Sequence, residues 1–100
     1  MNYKQAEKKI LKEPGVELST MMGSPCLRYM GAFMAMMFTK GEGLIIKVSP
    51  DRVNELIAQG NGTEFDFTKK RFREWVLIPL EFEEEYEGYI REALAYAKKK

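Results

Sequence analysis

Apolar residues along this chain change period several times, and each change marks an element. Tyr3, Ala6, Ile10 and Leu11 recur at helical spacing until Pro14-Gly15 breaks the pattern, which predicts a short first helix with Asn2 as its cap. Val16 to Ser19 alternates weakly and reads as a strand leading into Met22-Gly23. From Pro25 the alternation sharpens, with Cys26, Arg28 and Met30 on one side and Leu27 and Tyr29 on the other. Gly31-Ala32 then supplies a tight turn and Phe33 to Phe38 returns as the hairpin partner. Thr39 to Gly43 reads as a turn, after which Leu44, Ile46 and Val48 share one face and Lys47 takes the other.

Ser49-Pro50-Asp51 is a helix start: serine caps free N–H groups, proline suits the first turn, and aspartate complements the positive end of the dipole. Val53, Leu56 and Ile57 form its buried stripe, and Gly60-Asn61-Gly62 ends it. Glu64 to Phe67 alternates acid with aromatic and predicts a half-exposed strand. A loop over Thr68-Lys69-Lys70-Arg71 connects it to a return strand, Arg73 to Ile78, stopped by Pro79. Trp75 in that strand is expected to pack against the last helix near Tyr86, Tyr89 or Ile90. That helix follows from Phe82, Tyr86, Tyr89, Ile90, Ala93, Leu94 and Ala97 at 3.6-residue spacing, with glutamates in its first turns and Lys98-Lys99-Lys100 at its end. Gly88 inside it costs about 1 kcal/mol relative to alanine. The expected architecture is α+β: a two-layer sandwich, an antiparallel sheet with helices packed on one face, in the order one helix, three or four strands, one helix, two strands, one helix.

Composition narrows the chemistry. One hundred residues, 45% apolar and 12% aromatic, make one folded domain over residues 1–100 with a single core. Sixteen basic and fifteen acidic side chains leave a net charge of +1, so an electrostatic partner has to be met by a local patch. Cys26 is the only cysteine, which excludes an intrachain disulfide and a cysteine-based zinc site and points to a reducing, cytoplasmic setting. The amino terminus lacks the apolar core of a signal peptide, and the run Met30 to Phe38 is too short to span a bilayer, so no membrane association is expected. There is no histidine, which removes the commonest general base, the Ser-His and Cys-His nucleophile pairs and the commonest transition-metal ligand.

The segments Met22-Gly23-Ser24-Pro25-Cys26-Leu27-Arg28, Gly31, Phe33-Met34-Ala35, Gly43-Leu44-Ile45-Ile46-Lys47-Val48, Arg52-Val53-Asn54-Glu55-Leu56-Ile57, Gly60, Phe65-Asp66 and Arg73-Glu74-Trp75-Val76 follow one another in an order that resembles the TfoX N-terminal-domain family. YjbR-like proteins are similar in layout. The resemblance spans most of the chain and implies a single domain of the same helix, sheet, helix, hairpin, helix order. Proteins named for TfoX are associated with control of competence for DNA uptake and usually add a second helical domain; the regulators tend to carry a glycine-rich run where this chain has Ser24-Pro25-Cys26. No catalytic residues carry over from the resemblance, and no cofactor or metal is expected of this chain.

Two surface features are candidates for partner chemistry. Lys69, Lys70, Arg71 and Arg73 at the second hairpin, with Phe72 among them, have the character of a wing that tracks a phosphate backbone; the plainer account is a solvated turn. Seven methionines, four of them between Met30 and Met37, supply soft apolar surface. Strand alternation turns either Met34 and Met36 or Met37 with Phe33 and Ala35 away from the helices, leaving an open apolar row, with Met34, Met36 and Phe38 as its candidates, that supports self-association as a homodimer by sheet face or by edge-strand pairing. Cys26 is a weak nucleophile candidate, because only Arg28 is at hand to depress its pKa, and reads better as a core residue. Glu81, Glu83, Glu84, Glu85 and Glu87 are an acid cluster that helix-start charge preference explains. The sequence therefore reads as a non-enzymatic interaction or regulatory module with a protein partner or a second copy of itself, with a nucleic-acid-associated protein as the alternative and an enzyme third.

Overall fold

The computed structural model of the protein describes residues 3–21, 24–38, 43–67 and 70–99, and at positions 21, 38, 64–67 and 70–72 the backbone alone. Helix α1 (Tyr3–Ile10) leads to strands β1 (Val16–Met21), β2 (Ser24–Tyr29), β3 (Ala32–Phe38) and β4 (Gly43–Lys47). Helix α2 (Pro50–Ala58), strands β5 (Thr63–Phe67) and β6 (Lys70–Pro79), a 3-10 segment (Leu80–Glu85) and helix α3 (Tyr86–Lys98) follow. The six strands form one antiparallel sheet ordered β1-β2-β3-β4-β6-β5. All three helices cover one of its faces, which is the α+β architecture the pattern predicts.

Local chemistry explains most boundaries. The Ser49 hydroxyl accepts a hydrogen bond from the Arg52 amide at 3.2 Å and Pro50 opens α2, so the start of that helix follows directly from sequence. The turn between β2 and β3 is Met30-Gly31, one residue earlier than expected. Both have positive φ, 49° and 88°, the twist a two-residue hairpin requires. The last helix is broken near its start: Phe82 sits at φ −104°, ψ 20°, and regular α geometry begins only at Tyr86. Closely spaced glutamates at 81, 83, 84, 85 and 87 disfavour α winding there, because like charges four apart repel. The Tyr86 hydroxyl, donating to the buried carbonyl of Ile78 at 2.9 Å, anchors the point where the helix becomes regular.

The main core joins Tyr3, Ala6 and Ile10 of α1, Val53 and Leu56 of α2, and Tyr86, Tyr89, Ile90, Ala93 and Leu94 of α3 to one face of the sheet. Val76 and Ile78 supply that face from β6. Trp75 and Leu77 consequently point to the other side, which corrects the expectation that Trp75 packs on α3; the helix-side neighbour is Glu74, whose carboxylate accepts a hydrogen bond from the Tyr96 hydroxyl. A second cluster forms on the far face from Cys26, Phe33, Met36 and Ile45, with Trp75 and Leu77 packed against it.

The expectation of an open methionine row also changes. Leu27 pairs with Ala35 but Arg28 pairs with Phe33, so Met34 is the extra residue of a β-bulge and turns to the helix side together with Ala35. Met34 and Met36 are both fully buried, one in each cluster. The side chain of Phe38 lies outside the described residues.

Candidate functional site

The amino-terminal turn of α1 lies beside strands β1, β2 and β3 and leaves a groove of about 470 Å³ there. Its floor is Leu18, Pro25 and Met37, one from each strand, and its walls are Tyr3 and Glu7 of α1 and Glu83 of the 3-10 segment. Helix-face projection explains the floor: Val16 and Met37 both pack against the main core, and Leu18 pairs with core residue Leu27 and lies two residues beyond Val16. Because β1 is the sheet's edge, Leu18 has no strand beyond it and stays 55% exposed. Leaving about half of a leucine side chain in water forgoes about 1 kcal/mol of burial.

Polar groups frame the groove. Tyr3 is 9% exposed, and among the described residues its hydroxyl is shut from solvent without a hydrogen-bond partner. Burial first, and the Glu7 carboxylate one turn on second, push its pKa upward, so the phenol stays protonated at neutral pH. Glu7 stands close enough to act electrostatically, but no hydrogen bond of ordinary geometry joins the two. Glu7 and Glu83 are half-buried, whereas Lys4 at the rim is exposed.

A second, polar concavity of about 520 Å³ lies between α2 and α3. Arg52 donates from Nε to Glu92 at 2.7 Å and from Nη2 to the other carboxylate oxygen at 3.1 Å, and also pairs with Glu55. Asn61 donates to the Tyr89 hydroxyl at 3.2 Å. These groups hold one another and tie the helices together, which is a structural task.

The residues expected to carry chemistry are dispersed. Of the basic set, Lys69 lies outside the described residues. Lys70 and Arg71 belong to the backbone of β6 and not to a loop, and the side chain of Arg73 is exposed. The glutamate run separates: Glu83 faces the groove, Glu85 the polar concavity, and Glu87 pairs with Arg91 and Lys9. Among the described residues no three acids or cysteines converge as a metal site. Cys26 is fully buried, and burial pushes its thiol up despite the opposing influence of Arg28, which disfavours a nucleophilic role. No described helix is long and apolar enough to cross a membrane. The groove was not legible beforehand. Its one sequence signal is Leu18, which follows Val16 on one face of the otherwise polar segment Val16-Glu17-Leu18-Ser19-Thr20.

Compared with protein-family models, curated proteins and solved structures, the chain matches none.

Proposed function

We propose that this chain is a non-enzymatic interaction or regulatory module, and that it takes a ligand in the groove between α1 and strands β1, β2 and β3. The observation that carries this reading is the exposed Leu18 at the floor of a concavity whose size, about 470 Å³, falls within the roughly 300 to 1,000 Å³ typical of small-molecule sites. The apolar floor supplies affinity, and a few polar groups at the wall fix orientation. The test is titration of isotope-labelled protein with a library of small fragments, followed by amide and methyl chemical shifts. Fragments that perturb Leu18, Met37 and Tyr3 together, and lose that effect in Leu18→Lys, support the reading. A library in which no fragment moves these signals overturns it.

A further inference from the structure

We propose that the occupant of the groove is a small organic cation, an amine with an aromatic or branched apolar body, held by Glu7 and Glu83. The inference rests on the reading of the groove as a binding site and adds the ligand's class. Three features of the walls lead to it.

Among the described residues the charges lining the groove are unequal. Glu7 and Glu83 are half-buried carboxylates from two different elements, α1 and the 3-10 segment, while Lys4, three residues before Glu7 on the same helix, is exposed. Water screens the lysine more than the two acids, so the potential inside the groove is negative. A carboxylate ligand meets repulsion there and an ammonium meets attraction. Tyr3 adds to the same preference, since an aromatic ring attracts a cation by its quadrupole. Its hydroxyl, shut from solvent and held protonated, adds no charge of its own to the site. Leu18, Pro25 and Met37 then receive the apolar body, and the thioether of Met37 adapts to its shape.

The experiment compares three probes of one skeleton: phenylbutylammonium, phenylbutanol and phenylbutanoate. Dissociation constants come from chemical-shift titration of the full chain at low salt. The ammonium is expected to bind about tenfold more tightly than the carboxylate, with the alcohol between them, the size of effect two partly screened charges produce at van der Waals range. In Glu7→Gln/Glu83→Gln that order collapses to within about twofold while amide shifts remote from the groove stay those of the parent chain, which separates a charge effect from loss of fold. Raising the salt concentration narrows the preference in the same direction. If the alcohol and the carboxylate bind at Leu18 as tightly as the ammonium does, the cation inference is overturned and the binding reading stands. If none of the three perturbs Leu18 and Met37, both are overturned.

Discussion

Phe33 and Trp75 stack with ring centroids 4.5 Å apart and planes 24° from parallel, although β4 lies between their strands. Both project from the face that the helices leave uncovered, where Cys26, Met36 and Ile45 are fully buried. The pair thus helps to close a second, smaller core on a sheet whose main core lies on the other side.

Trp75→Ala is expected to destabilise the fold by about 2 to 4 kcal/mol, somewhat below the usual cost for a fully buried large aromatic because Trp75 is only partly buried. In a double-mutant cycle with Phe33→Ala the two losses should overlap by about 0.5 to 1.5 kcal/mol, the coupling of an aromatic pair. Urea unfolding measures both. Strictly additive losses would show that the stack itself contributes nothing.

Two glycines should respond to alanine in opposite directions. A Cβ on Gly43 would stand 2.7 Å from the Ile78 carbonyl oxygen and 2.9 Å from Leu77 Cγ, so β4 and β6 could not keep their spacing. Gly43→Ala is expected to cost about 1 to 3 kcal/mol. A Cβ on Gly88 meets nothing within 4 Å, and its helical conformation suits alanine, so Gly88→Ala should stabilise by about 0.5 to 1 kcal/mol. Thermal unfolding of the two variants checks the pair, and a loss of stability in Gly88→Ala would contradict the second half.

Stability should fall at both ends of the pH range for identifiable reasons. The Arg91 guanidinium, hydrogen-bonded at 3.1 Å, and then Lys9 hold the Glu87 carboxyl below its ordinary value. A depressed folded pKa means stabilisation present above the unfolded value, about 4.3, and lost as pH falls through the folded one. Burial, and secondarily Glu83, raise Tyr86 to about 12. A raised folded pKa means stabilisation complete below about 10 and lost as pH climbs toward 12. Urea midpoints across pH should show Glu87→Gln flattening the acid limb and Tyr86→Phe flattening the alkaline limb. Because Tyr86→Phe also removes the bond to Ile78, it should cost about 1 to 2 kcal/mol at neutral pH. An alkaline limb unchanged in Tyr86→Phe would assign that transition elsewhere, Tyr3 being the next candidate.

Periodicity alone placed the helices and most strands, because apolar spacing and local capping are properties of a few neighbouring residues. Tyr3, Ala6 and Ile10 announce one buried face of α1, Ser49-Pro50 announces the start of α2, and Ile90, Ala93 and Leu94 announce α3. The α+β class follows from their order. Where the chain departs from simple alternation, only pairing between distant segments decides the outcome. The extra residue at Met34 exists because Leu27 and Arg28 on β2 span three residues of β3, and that one residue moves Met34 into the main core. Trp75 turned away from α3 because Val76 and Ile78 had already taken the helix side of β6. The groove depends still more on tertiary structure. Tyr3, Leu18, Met37 and Glu83 are spread over most of the chain, and nothing local to any of them distinguishes core from cavity wall. Their convergence requires α1 to stop short of covering the edge strand, a matter of how far three separately predicted elements reach across one sheet.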